Sequence, residues 1–305
     1  MPPPSVSDGD KAGNDRLSIR SFHHSSYAPA RIATALAERG LSVSVCLPAR
    51  ECAGTVGEMV GVLAGLREAG LIDEIVVVDA ASEDGTATVA ARAGAIVHQE
   101  AELLPSYGPV LGKGDAMWRA LSRLEGDLVC FLDADTEGFA PHFVTGLLGP
   151  LVFEPKVSFV KAFYRRPLGQ GDGEGEGGGR VNHLLARPAL ELFYPQLAQV
   201  RQPLAGEVAA TRQLLERLPF ATGYGVEIAM LIDAWREVGL DGIAQVDLDE
   251  HRNRHQPLSA LSPMAFTVLA TIARRLTQEG RLLDGDPGGD GAPLERPALV
   301  SAGVA

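Results

Sequence analysis

An open, mostly parallel α/β sheet flanked by helices is the predicted fold class, on three observations. Short apolar segments alternate with stretches of helical period from residue 32 onward, and such alternation implies right-handed βαβ crossovers. Glu74 to Val78 and Leu128 to Leu132 are apolar almost throughout, as strands covered on both faces must be. Polar and acidic residues cluster just after the strands, at the carboxyl edge where open sheets collect ligands.

Ile32 to Arg39 has helical spacing and stops at Gly40, and Leu41 to Leu47 is the first predicted strand, closed by Pro48. A helix over Thr55 to Ala69 ends at Gly70, and Glu74 to Val78 is the next strand. Thr86 to Ala93 is helical, Ala95 to His98 a short strand, Lys113 to Leu124 helical and Leu128 to Leu132 a strand. A helix follows Pro141, and the aromatics of Val157 to Tyr164 suit a strand. Gly169 to Gly179 is nearly all Gly, Asp and Glu and is expected to be a mobile loop. Helical pattern then dominates, over Pro188 to Leu197, Thr211 to Leu218, Glu227 to Val238 and Met264 to Leu276, with one strand at Ile243 to Leu248.

This division predicts a nucleotide-binding half over 27–150 and a more helical acceptor-binding half over 151–279, with disordered tails at 1–26 and 280–305. The 305 residues are 46% hydrophobic and 22% charged, ordinary for a globular protein. A net charge of −12 argues against broad nucleic-acid or anionic-membrane binding. No apolar run is long enough to span a bilayer, and the N-terminus lacks signal-peptide character, so a cytoplasmic location is expected. Cys46, Cys52 and Cys130 imply neither a disulfide framework nor a zinc site.

Asp133-Ala134-Asp135 closes a buried strand, where carboxylates can hold Mg²⁺ or Mn²⁺ against a diphosphate, a pattern pointing to nucleotide-sugar chemistry. Thr136 and Glu137 lie beside it, and Lys113 can balance diphosphate charge. Asp79, Ser82, Asp84 and Thr86 suit uracil and ribose partners, and equally suit a turn with a helix cap. Gly177 to Asn182 follows the basic group Lys161, Arg165 and Arg166, so a glycine loop with an Arg fork offers an anion site; a plain linker is the competing reading. His251 and His255 can complete a cation's shell, and Glu227 can bind sugar hydroxyls or favour its helix N-terminus.

These strings resemble a known family. Leu47-Pro48-Ala49, Val78-Asp79 with Ser82, Gly112-Lys113-Gly114 and Asp133-Ala134-Asp135 are similar to the actinobacterial glucosyl-3-phosphoglycerate synthases. More specific are Phe163 to Pro167, Gly178 to Val181, Pro203-Leu204-Ala205-Gly206-Glu207, Gly223-Tyr224-Gly225-Val226-Glu227 and His251-Arg252-Asn253. The resemblance runs from about residue 40 to 275. It implies a GT-A glycosyltransferase fold with a helical C-terminal acceptor and dimerisation region. It further implies transfer of glucose, with retention, from UDP-glucose to the 2-hydroxyl of 3-phosphoglycerate, in a Mg²⁺-dependent homodimer supplying glucosylglycerate biosynthesis.

Carried over residue by residue, the resemblance puts Pro48, Ala49, Ser82 and Lys113 at the nucleotide diphosphate, with Glu51 on the uracil side, Asp133 at ribose or water, and Asp135 with His251 or His255 at the metal. Gly179, Arg180, Asn182 and Asn253 fall at phosphoglycerate, with Leu204 and Glu227 around the glucose. Asp135, Leu204, Glu227 and Arg180 form the implied catalytic group. Glu51-Cys52 stands where the family has Asn-Glu, and Asn182 replaces a Thr. The competing readings are a related transferase using GDP-mannose, glycerate or a lipid phosphate, and a non-catalytic nucleotide-sugar sensor.

Overall fold

The computed structural model describes residues 18–166, 179–252, 257–282 and 294–304. In chain order the strands are β1 (Arg20–His23), β2 (Val43–Ala49), β3 (Glu74–Asp79), β4 (Ile96–Gln99), β5 (Leu128–Phe131), β6 (Phe159–Arg165), β7 (Val208–Thr211), β8 (Phe220–Ala221), β9 (Ile243–Glu250) and β10 (Glu295–Arg296). The helices of the first half are α1 (Pro29–Arg39), α2 (Ala53–Glu68), α3 (Thr86–Ala93), α4 (Lys113–Leu121) and α5 (His142–Phe153). Those of the second half are α6 (Arg187–Phe193), α7 (Arg212–Leu215), α8 (Val226–Val238), α9 (Leu258–Gln278) and α10 (Leu299–Ala302).

Eight strands form one sheet in the order β1-β9-β6-β7-β5-β2-β3-β4. Every pairing is parallel except those of β7, which runs antiparallel to both β5 and β6. Side chains alternate across the sheet, so each strand feeds two cores. Val45, Leu47, Ile75, Val77 and Cys130 pack with α1, α2 and α5, while Cys46, Val76, Val78, Val129 and Phe131 pack with α4 and α8. Cys46 and Cys130 therefore act as small hydrophobes, and burial pushes the Cys130 thiol up to about 12.

Helix boundaries follow local chemistry. Gly40 ends α1 in the left-handed region at φ 61°, donating its N–H to the carbonyls of Leu36 and Ala37. Lys113 to Leu121 stops one turn short of the predicted end, and the predicted helix over Pro188 to Leu197 stops at Phe193, because Pro195 opens a separate 3₁₀ turn. A π turn over Asn182–Ala186 precedes α6.

Two strands depart from the sequence reading. Val208–Thr211 was expected at its end to begin a helix, but it pairs between β5 and β6, and only the four residues Arg212–Leu215 are helical. Its two alanines carry little strand preference, so pairing decides its state. Arg20–His23 lies in the segment expected to be a tail, yet it forms the sheet's edge against β9. At the other end, Glu295–Arg296 pairs with β8 and Leu299 is buried. The expected mobile loop lies outside the described residues, apart from Gly179.

No helix among the described residues is long and apolar enough to cross a membrane. Gly114 brings α4 against the backbone before α8: a Cβ there would sit 1.9 Å from the Ala221 carbonyl oxygen, whereas Gly65 on α2 faces open space. Gly114→Ala is expected to destabilise the fold by about 1–3 kcal/mol through overpacking. Gly65→Ala should instead stabilise it by about 0.4–1 kcal/mol. Urea midpoints check the pair, and equal midpoints would refute the close-packing account.

Candidate active site

The parallel strands point their carboxyl ends at one edge, and the residues singled out at strand ends converge there. Beyond β5, Thr136 Oγ1 donates to the Asp133 carbonyl at 2.9 Å and Thr55 Oγ1 donates to the Ala134 carbonyl at 2.6 Å. This fixes the acidic turn. Asp133 then meets Lys113 Nζ at 2.5 Å, and the same ammonium donates to Glu227 Oε1 at 2.7 Å. Lys113 and Glu227 enter from the first turns of α4 and α8, helices that approach closely because Gly112 lies over Gly223. Burial opposes the Lys113 charge, but Asp133 and Glu227 outweigh it and hold the ammonium well above its ordinary range.

The side expected to face a nucleotide joins two loops. Glu51, in the left-handed region at φ 53°, donates its N–H to Ser82 Oγ at 2.9 Å and accepts the Glu83 N–H at 2.8 Å. Asp84 accepts from the Ala53 N–H, and Thr86 Oγ1 accepts from the Cys52 N–H at 2.8 Å. Ser82 and Glu51 are thus committed to bracing this loop, while Pro48 and Ala49 end β2 beside it. Asp79 Oδ2 accepts from Ser82 N–H and Gln99, whereas its buried Oδ1 has no hydrogen-bond partner among the described residues.

On the opposite side, Gly179 turns the chain at φ 77° and Arg180 begins the helical stretch leading to α6. The sequence places Asn182 at the acceptor; in the structure its buried amide spans the Arg201 carbonyl at 3.3 Å and the Leu204 N–H at 3.4 Å. It braces the turn that carries Leu204. The basic group expected beside the glycine loop also divides. Arg165 is exposed near Glu250, but Lys161 is buried and donates to the Ala205 carbonyl at 2.5 Å. Burial pulls this lysine down to about 8.

His251 is buried, with Nε2 3.0 Å from Glu207 Oε1 and 3.1 Å from Thr136 Oγ1, and its ring stacks on Tyr164 at 4.5 Å. Burial opposes the Glu207 charge, but His251, the Tyr164 hydroxyl and Arg166 outweigh it and hold the carboxyl well below its ordinary range. Donation from Nε2 to that carboxylate leaves the lone pair on Nδ1, which is buried and without a partner among the described residues. A carboxylate orienting the far nitrogen is how ligating histidines are held. Asp135 accepts no hydrogen bond among the described residues, and burial followed by the Asp133 charge pushes its carboxyl up. Oxygen from Asp135 and nitrogen from His251 fit Mg²⁺ or Mn²⁺. Asn253 and His255 lie outside the described residues.

Sequence reasoning missed Lys161 as a buried anchor and Glu207 as the partner of His251. Lys161 sits in an otherwise apolar strand, the one signal that it faces inward.

The family model for glycosyl transferase family 2 matches residues 44–196. A glucosyl-3-phosphoglycerate synthase from Petrotoga mobilis is 42% identical over 272 residues, covering 88% of this chain and 84% of its own. The chain belongs to the glucosyl-3-phosphoglycerate synthase family. The Mycobacterium tuberculosis H37Rv member of that family is 44% identical over 243 residues, covering 78% of this chain and 75% of its own. A crystal structure of the Mycobacterium tuberculosis glucosyl-3-phosphoglycerate synthase, in complex with Mn²⁺, UDP-glucose and phosphoglyceric acid, superposes with TM-score 0.81 at 36% identity, covering 93% of this chain and 99% of the other. The crystal structure of mannosyl-3-phosphoglycerate synthase from Rubrobacter xylanophilus gives TM-score 0.85 at 46% identity, covering 93% and 96%. The fold is therefore that of a glycosyltransferase, and the chain is an enzyme of this family.

Lys161 titrates in a window that tests its burial. Its proton leaves the folded protein near pH 8 and an unfolded chain near 10.5. Between those values the unfolded state binds more protons, so rising pH favours the folded state. Wild type is expected to gain stability relative to Lys161→Met from about pH 8 to 10, measured by urea midpoints. Identical pH slopes would refute the burial of this charge.

Proposed function

We propose that this enzyme transfers glucose from UDP-glucose to 3-phosphoglycerate, forming glucosyl-3-phosphoglycerate. The observation that carries the reading is the Lys113 ammonium bonded to both Asp133 and Glu227, between the nucleotide loops and the Arg180 turn. The substrates named for the mycobacterial relative support it.

Asp135 and His251 would hold the divalent cation, which supplies charge neutralisation for the departing diphosphate. Lys113 contributes a second positive charge, partly buried and fixed by two carboxylates, so little reorganisation is needed as UDP departs. Arg180 meets the acceptor's charged groups with its planar fork. Asn182, Lys161 and Gln202 hold the turn from Arg201 to Glu207, which places Leu204 against the glucose. Glu227 Oε1 is paired with Lys113, and its carboxylate is assigned to bracing the crevice. Retention then proceeds by attack on the face that UDP leaves: the acceptor oxygen bonds the anomeric carbon as the C–O bond to diphosphate breaks, and a diphosphate oxygen takes the acceptor proton. A homodimer is the assembly proposed with this activity.

A second reading is favoured by the Rubrobacter xylanophilus neighbour, named for mannosyl transfer at 46% identity. GDP-mannose, the alternative donor raised by the sequence, is the compound that tests this reading.

Incubation of the enzyme with 3-phosphoglycerate, Mg²⁺ and UDP-glucose should give a glucosylated product mass and free UDP; turnover only in a parallel incubation with GDP-mannose, releasing GDP, would overturn the glucose assignment. Asp135→Asn is expected to lower kcat at least about a hundredfold through loss of the metal clamp. Arg180→Ala is expected to raise the acceptor KM about 10- to 100-fold, the worth of a charged hydrogen bond. An unaltered acceptor KM would remove Arg180 from the acceptor site.

A further inference from the structure

A second cluster of metal-competent side chains lies at the outer end of the same sheet edge, where β1 and β9 terminate. His23 Nε2 is 3.1 Å from Asp249 Oδ1, and His24 Nε2 is 2.7 Å from Asp249 Oδ2. One ligand atom from each residue lies within 4.8 Å of the others. A tetrahedral ion with bonds of about 2.0–2.1 Å has ligand atoms about 3.3–3.4 Å apart. The two His–Asp contacts are shorter than those edges and reach different carboxylate oxygens, so seating an ion requires the three side chains to open slightly from these hydrogen bonds. We infer that His23, His24 and Asp249 bind a divalent ion of the Zn²⁺ class, distinct from the cation of the catalytic crevice.

The surroundings hold the three groups before any ion arrives. The His24 ring lies between those of His23 and His142, each centroid 4.4 Å away. His142 is itself fixed by a 3.1 Å hydrogen bond from Nε2 to the Leu248 carbonyl. The His24 backbone packs on α5, where a Cβ at Gly146 would stand 2.9 Å from His24 Cβ. Asp249 occupies the left-handed region at φ 65°, a strained backbone for a residue other than glycine, and its N–H donates to Asp247 Oδ1 at 3.0 Å. That conformation turns its carboxylate to both imidazoles.

His23 Nδ1 is 2.7 Å from Ser25 Oγ, and the Ser25 N–H donates to the same nitrogen at 3.2 Å. An ion on Nε2 puts the ring proton on Nδ1, so Nδ1 exchanges its present role as acceptor of the Ser25 N–H for donation to Ser25 Oγ, and the Ser25 N–H must turn to water. Two imidazole nitrogens and one carboxylate oxygen select a borderline ion over Mg²⁺, which prefers oxygen donors. His23 and Asp249 are exposed, so an ion can enter and a water can fill the fourth position. The bound ion would join β1 to the end of β9, two residues before His251.

Chelator-treated full-length enzyme, dialysed into excess Mg²⁺ and titrated calorimetrically with Zn²⁺, is expected to bind one equivalent at this site. Binding should raise the melting temperature. His24→Ala and Asp249→Asn should each weaken it at least about tenfold, whereas Asp135→Asn should keep it. Asn adopts the left-handed backbone readily, so Asp249→Asn tests the ligand without refolding the turn. Absence of Zn²⁺ binding under excess Mg²⁺, unchanged affinity in both His24→Ala and Asp249→Asn, or loss of the ion in Asp135→Asn would overturn the site.

Discussion

The Lys113 ammonium, bonded at once to Asp133 and Glu227, is the contact on which the crevice depends. Removing Lys113 leaves two partly buried carboxylates without their shared counter-charge, which costs more than either bond contributes. The three residues come from the start of α4, the end of β5 and the start of α8. Two helix N-termini and a strand end can meet only if the elements beneath them are held. Gly112 and Gly114 permit that approach by presenting backbone where a side chain would intrude.

The hold on α4 comes largely from the far end of the chain. Arg296 grips Asp115 through Nε at 2.7 Å and Nη2 at 2.9 Å, and Trp118 Nε1 donates to the Pro297 carbonyl at 2.7 Å. Burial alone would raise the Asp115 carboxyl, but Arg296 and Arg119 lower it, so the pair stays ionised. Arg119 also donates to the carbonyls of Leu103 and Gly108, ordering the loop that leads into Lys113. Paired, buried and multiply hydrogen-bonded, this network has the geometry in which charge–charge contacts confer a specific arrangement.

What the sequence disclosed was local. Asp133, Asp135, Lys113 and Ser82 were legible because apolar runs identify strands and the residues after strands share one edge. Helix limits set by Gly40 and Gly94 were legible for the same reason, since backbone preference acts within a few residues. Lys161, Glu207, Arg296 and the short strands β1 and β7 were not, because each takes its role from a partner distant in sequence. A lysine next to Arg165 and Arg166 reads as surface charge until pairing with β7 and β9 buries it. Asn182 is placed at the acceptor by resemblance alone, and its bracing contact to the Leu204 backbone is legible only in the structure.

The reversal of one strand explains why the Leu204 turn reaches the sheet edge that carries Asp133. Because β7 runs antiparallel to its neighbours, its beginning, not its end, lies where the parallel strands finish. Phe131 at the end of β5 stands opposite Val208 at the start of β7. The residues just before β7 therefore face those just after β5: a Cβ on Gly206 would fall 2.2 Å from an Asp133 carboxylate oxygen, and Glu207 takes His251 from the end of β9. A parallel β7 would carry Leu204 and Glu207 to the opposite edge of the sheet. With β7 reversed, one short alanine-rich strand sets the Leu204 turn, the His251 partner and the acidic pair within a single crevice.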